Sequence, residues 1–395
     1  MSDLAKLFGK RSEGSYGQCT LCKRRSAESE TGLCRACAYL VAYDPAMVTT
    51  RQVAHGIKLL KSSDQMLKWP WPALHALTGP LMRGHICYCV AASGVGKTTW
   101  SLDLVRRWIA EGVGVTVLPL ETTAQEWRLA LAAITAGMSH GDVFELVSRL
   151  IDGDAEVAPT LKLVEDIMME QAADPAMMKL LHVLDDQQVT VDGLDNAFTV
   201  AKASGHKVVV IDHIDHVGAE RDELTGRTAS GLEAIKEVNN AVLALAKYHD
   251  IAVVAMSQAN MTVQGDGSNP LLRFQKLQMK HVMYNSLKVP NASQIIGVYR
   301  PLKPGLTRHE FALARDGAIE PMDVLARDRI GLNMMKLRHR GKHEQMTLEM
   351  AYVNGTIREL TMQEQAEAAV LRSGSEPLAH GSYVMRDKPS VRKPS

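Results

Sequence analysis

The stretch from Ile86 to Trp100, ICYCVAASGVGKTTW, decides the fold. It opens as a continuous apolar run, the pattern of a strand buried on both faces. It closes on Trp100, with Leu104 and Trp108 following at helical spacing. Between the two, Ala91-Ala92-Ser93-Gly94-Val95-Gly96-Lys97-Thr98 has the form of a Walker A loop, with Ala91 in place of the usual first glycine. Gly94 and Gly96 let backbone N–H groups curl around a β-phosphate, Lys97 reaches the β- and γ-phosphates, and the Thr98 hydroxyl ligates Mg²⁺. The nucleotide-binding stretch thus runs through Ser93, Gly94, Val95, Gly96, Lys97, Thr98 and Thr99. A helix N-terminus at this point adds free N–H groups and a dipole that favour an anion.

Outward from the loop, KVVVIDH (207–213) ends an apolar run on Asp212, the Walker B position, which holds Mg²⁺ through water and the threonine. GVTVLPLE (114–121) ends on Glu121. A carboxylate there can polarise an attacking water, or it can cap a helix that starts near Thr122; position alone leaves both readings open. IAVVAMSQ (251–258) ends on Ser257 and Gln258, where a polar side chain can report on the γ-phosphate. The remaining runs are LLHVLDD (180–186), QIIGVYR (294–300), GLNMMKLR (331–338) and QMTLEMAYV (345–353). Alternation of such runs with helical stretches predicts an α/β fold around a mostly parallel sheet. The last two lie close enough to pair as an antiparallel hairpin. Cys87 and Cys89 alternate within their strand and read as buried, not as ligands. His213 and His216 are expected to face the nucleotide or a channel.

The 395 residues suffice for one large domain with an appendage. A formal net charge of +1 gives no global field for nucleic acid, so DNA contacts must come from local patches. No apolar run is long enough for a membrane span, and MSDLAKLFGKRSEGS lacks a secretory core, so a cytoplasmic location is expected. Four of the six cysteines form Cys19-x₂-Cys22-x₁₁-Cys34-x₂-Cys37. Two CxxC knuckles in a short polar segment fit a closed tetrahedral Zn²⁺ site, whose binding energy would fold a segment with so little core. Arg24, Arg25 and Arg35 make the module basic. The chain then divides into a zinc module over 1–40, a linker with a helix over 41–72, a nucleotide-binding domain over 73–362 and an unstructured tail over 363–395. In the linker Val53, Ile57 and Leu60 share one helical face, and the prolines of WPWP (69–72) cannot continue a helix.

Several segments, in order, carry a family resemblance: LTGPLMRGHI, AASGVGKTT, the run ending in Glu121, VVVIDHI, AVVAMSQAN, NASQIIGVYR and MMKLRHRGKHEQMTLEM. The region from about Leu77 to Leu360 resembles the helicase domain of DnaB-like hexameric replicative helicases. It is nearest in style to the helicase half of phage primase-helicases and their mitochondrial relative Twinkle. The resemblance implies a RecA-like core, hydrolysis of ATP or another NTP or dNTP with Mg²⁺, and unwinding of single-stranded and forked DNA by a homo-hexamer. It assigns Glu121 as the catalytic glutamate and Gln258 as the γ-phosphate sensor. It further makes Lys336 and Arg338 the basic pair that reaches the neighbouring subunit's nucleotide, Arg338 as arginine finger. Two channel loops correspond to 217–230 and 259–281, with Arg221, Arg227, Arg273, Lys276 and Lys280 as DNA-contact candidates. HVMYNS (281–286) departs from the family's acidic–basic motif.

Phage primase-helicases also begin with a four-cysteine zinc domain. Here no catalytic primase domain separates it from the helicase region, so a separate primase, and a DNA polymerase, are the expected partners, in a bacterial host if the chain is phage-encoded. Two other readings stand beside this one. A RadA-like recombination ATPase also joins a zinc module to a RecA core, but its C-terminal protease-like domain has no room here. A helicase loader or regulatory ATPase would not need Lys336 and Arg338 aimed at an identical neighbour.

Overall fold

Each of the eight apolar runs becomes a strand. A computed structural model of the chain describes residues 66–184, 190–217, 232–260, 271, 274, 276–303, 305–338 and 346–367. The four zinc-module cysteines, the helical face of Val53, Ile57 and Leu60, the tail beyond 367, Arg221, Arg227 and Arg273 lie outside these residues.

The central sheet holds β3 (Ile86–Ala91), β4 (Val115–Pro119), β5 (Leu181–Val183), β6 (Val208–Asp212), β7 (Ala252–Gln258), β8 (Ala292–Tyr299), β9 (Arg329–Leu337), β10 (Thr347–Val353) and β11 (Thr356–Glu359). Their order is β11-β10-β9-β8-β3-β7-β6-β4-β5. The six strands from β8 to β5 run parallel, and β9, β10 and β11 are added antiparallel, including the expected hairpin. This is the RecA-like P-loop fold: a mostly parallel sheet with helices on both faces.

The sheet's inner strands are buried on both faces, which is why they read as unbroken apolar runs. In β3 the period of two is visible. Cys87, Cys89 and Ala91 join one apolar cluster with α2 (Lys97–Ala110), while Ile86, Tyr88 and Val90 join another on the opposite face. That second cluster packs α7 (Val191–Ala203) and α8 (Leu232–His249) on the sheet. Both cysteines of β3 are fully buried and free.

Folded structure begins before residue 73. β1 (Met66–Leu67) pairs with β2 (Leu81–Met82) around α1 (Pro72–Thr78), whose first-turn proline needs no N–H. Trp69 and Trp71 are 2% and 1% exposed. Their rings lie 5.9 and 5.8 Å from that of Trp100, and Trp69 stacks on Trp108 at 6.0 Å. The helical stretch between β4 and β5 comprises α3 (Ala124–Thr135), α4 (His140–Ile151), α5 (Ala158–Ala173) and α6 (Pro175–Leu180). Capping boxes at Thr123/Glu126 and Ser139/Asp142 start α3 and α4.

Candidate functional site

The phosphate loop joins the C-terminal end of β3 to the N-terminus of α2. Gly94 and Gly96 take left-handed φ values of 74° and 107°, which a side chain would strain. Lys97 is 6% exposed, and its Nζ lies 3.4 Å from the carbonyl oxygens of both Ala91 and Ala92. Burial holds this ammonium below its ordinary pKa, opposed by the charges of Glu121, Asp212 and Asp215. A bound phosphate would favour the charged form further, because an anion beside the ammonium raises its pKa.

Asp212 ends β6, two strands from β3, and is 2% exposed. Ser101 Oγ, one turn into α2, lies 3.4 Å from its Oδ2. Its Oδ1 is buried without a hydrogen-bond partner. Burial first, then the charge of Glu121, pushes this carboxyl up to about 6, while Lys97, Ser101 and Thr98 pull it down. A buried, under-satisfied carboxylate beside the Thr98 hydroxyl and a phosphate loop fits a divalent cation. Asp212 and Thr98 would hold a Mg²⁺ here, and such a cation would supply positive charge against the phosphates of a bound nucleotide.

Glu121 follows β4 and is half-exposed. It does not cap a helix: Thr123 caps α3, accepting from the Glu126 N–H, so the Glu121 carboxylate is left to the site. His213 Nδ1 approaches Glu121 Oε2 at 2.6 Å. His213 holds a left-handed φ of 71°, and its ring stacks on His216 at 5.3 Å. Burial, helped by the charge of Lys97, lowers the His213 pKa to about 4, so its ring is neutral at pH 7. Gln258 sits opposite Ala91 in the β3–β7 register, with its side chain exposed beside the loop.

Lys336 and Arg338 are placed elsewhere. The Arg338 N–H donates to Ser293 O, and Ser293 Oγ donates to Ile86 O, the first residue of β3. Arg338 thus lies at the rim of the sheet opposite the phosphate loop, a strand length of about 16 Å away. Its Nη2 donates to Pro290 O at 2.5 Å, and Lys336 Nζ donates to Val289 O. Lys276 and Lys280 lie among the described residues, half-buried and exposed respectively.

Two features escaped the sequence reading. Arg300, just after β8, is half-buried. Its Nε donates to Val95 O at 3.1 Å, its Nη1 reaches Arg327 O and Arg329 O, and its guanidinium lies 4.3 Å over the Tyr352 ring. It props the phosphate loop from below; the only sequence signal is an arginine ending an apolar strand. The second is Asp215, whose carboxylate accepts from Ser257 Oγ (3.0 Å), the Gln258 N–H (2.9 Å) and Lys288 Nζ. Lys288 is 1% exposed, and nothing in sequence ties it to an aspartate 73 residues earlier.

Comparison with known proteins agrees with this geometry. Residues 70–272, just over half of the chain, match the family described as DnaB-like helicase C terminal domain. That span holds the phosphate loop, Glu121, Asp212 and Gln258. No curated protein sequence matches the chain. Among solved structures, the chain is similar to a DnaB-like replicative helicase described with its interactions with primase. The two share 16% identity and a TM-score of 0.56, over 81% of this chain and 67% of that one. It is also similar to a second protein solved as its ATPase domain, with 14% identity and a TM-score of 0.58, over 80% of this chain and all of that domain. The phosphate loop, the Walker B aspartate and the family match agree: the chain belongs to the DnaB-like helicase C-terminal domain family and is an NTP-driven DNA helicase that hydrolyses ATP with Mg²⁺.

Proposed function

We propose that the chain works as a homo-hexameric ring in which each nucleotide is hydrolysed between two subunits. In this reading Lys97 and the loop amides grip the phosphates, and Thr98 and Asp212 hold Mg²⁺. Glu121, kept in place by His213, orients and deprotonates the attacking water. Gln258 senses the γ-phosphate. Lys336 and Arg338 act on the nucleotide of the next subunit. The observation that carries the reading is the position of Arg338, a full strand length from its own phosphate loop, so that it can meet a triphosphate only on a neighbour. A loader or regulatory ATPase gives no reason for such a placement.

The finer identity is part of the same proposal. Cys19, Cys22, Cys34 and Cys37 form a Zn²⁺ module that touches DNA or a partner, as in phage primase-helicases. The helicase runs on single-stranded and forked DNA beside a separate primase and polymerase, within the cytoplasm of a bacterial host. Among the described residues no helix is long and apolar enough to cross a membrane.

Mixed rings test the arrangement. Arg338→Ala should bind nucleotide, because the loop is untouched, yet lose about 10³-fold or more in hydrolysis. Glu121→Gln should also be inactive. Mixed together, they form some interfaces where a wild-type glutamate faces a wild-type arginine, and part of the activity should return. No return at any ratio, with rings confirmed by sedimentation, would show that Arg338 does not act in trans.

A further inference from the structure

Lys288 lies in α9 (Asn285–Asn291), the short helix that leads into β8. A lysine this buried is costly unless its charge is met. Here the Nζ is held by the Asp215 carboxylate and by Ser257 Oγ at 2.7 Å, with the Tyr284 ring at 5.8 Å. Both oxygen partners belong to the phosphate side of the sheet. Ser257 pairs with Val90 in the register, and Asp215 also fixes the backbone N–H of Gln258.

The two residues that follow Lys288 in α9, Val289 and Pro290, turn their carbonyls to the opposite rim. The last carbonyls of a helix have no partner within it, and they carry its negative dipole end. In α9 two of them are taken by the basic pair: Val289 O by Lys336 Nζ and Pro290 O by Arg338 Nη2. One helix of seven residues therefore connects the γ-phosphate end of a subunit's own site with the side chains that serve the next site. The Lys288 side chain supplies the connection at the phosphate end, and it is the only charged group of α9 directed there among the described residues.

We propose that Lys288 is a positioning residue that couples each subunit's own nucleotide site to its Lys336/Arg338 pair. Movement of Gln258 against a γ-phosphate shifts Asp215, which carries Lys288 and α9 with it, and so resets the two carbonyls that hold the basic pair. Successive sites in a ring would then fire in response to one another. This inference rests on the reading of Arg338 as a group acting in trans.

The test uses Asp215→Asn with Lys288→Met in one full-length chain. Removing both charges leaves no unpaired buried ion, so the fold survives where Lys288→Met alone could unfold. Nucleotide affinity of the double variant should stay within about threefold of wild type, and hydrolysis should fall about tenfold or more. A merely structural lesion would not choose its partner in mixed rings, whereas a coupling lesion should. The double variant should regain hydrolysis with Glu121→Gln, which supplies a well-placed arginine, and not with Arg338→Ala. Unchanged hydrolysis, recovery with Arg338→Ala instead, or recovery with neither would overturn the coupling role. The Arg338→Ala and Glu121→Gln mixture is the control. Its failure removes the trans reading and this inference together, while its success with failure of the double variant removes this inference alone.

Discussion

At the scale of single residues, the site places charge where folding alone would not. Asp212 has its carboxyl pushed up to about 6, from an ordinary 3.8, chiefly by burial. Between those values the folded chain keeps a proton that the unfolded chain has lost, so stability falls as pH rises through the window. The cost is absent below about pH 4, complete above about pH 6, and on the order of 3 kcal/mol. His213 works in the other direction. Its imidazole is held down to about 4, so it costs stability as pH falls below its usual 6.5. The two nearly cancel across the shared window. Asp212→Asn removes the first cost, and without Mg²⁺ or nucleotide it should melt several degrees higher than wild type at about pH 8, with the gain gone at about pH 4. It should also lose hydrolysis, since in the proposed function Asp212 is the carboxylate that holds Mg²⁺. Thermal melts in chelator at both pH values check this; a variant no more stable at the higher pH would contradict the argument.

At the scale of elements, the tryptophans decide whether the region before the phosphate loop belongs to the core. Trp71 donates from Nε1 to Ile357 O at 2.9 Å, and Arg107 lies 5.4 Å over its ring. It thus ties α1 to α2 and to β11. Trp71→Ala should lower unfolding free energy by about 3–5 kcal/mol through the cavity it leaves. Denaturant unfolding gives the value, and a loss below about 1 kcal/mol would mean that the cluster is not a core feature. The WPWP run was legible only as a break in helix, because proline acts locally while the stacking of Trp69 and Trp71 depends on α2. The strand β11 went unread for another reason. Asn354-Gly355 is a strong two-residue turn signal, and both take positive φ values of 47° and 81°. The strand it introduces is four residues long and half-exposed, too short to show a period.

At the scale of the whole molecule, the proposed function makes activity depend on assembly and puts a zinc module at Cys19–Cys37, ahead of residues 70–272, the span that matches the helicase family. Freshly purified, reduced protein should carry one zinc per chain, and Cys34→Ser should lose it while ATP hydrolysis by the core persists. Elemental analysis beside an ATPase assay measures both. Absence of zinc would refute the assignment to Cys19, Cys22, Cys34 and Cys37.

The sequence by itself determined the eight strands, the parallel core and the phosphate loop. Burial on both sheet faces writes unbroken apolar runs, and phosphate binding demands glycines, lysine and threonine at fixed local spacing. It also placed Asp212 and Gln258, since each ends a strand beside that loop. Only the tertiary structure settled that Glu121 is no helix cap, because Thr123 and Glu126 satisfy α3 between themselves. Only it brought Arg300 beneath Val95, and Lys288 to Asp215 across 73 residues. Only it set Arg338 on the rim away from its own loop. Contacts of that kind are made by strand order and register across the sheet, and neither is written in the spacing of any one segment.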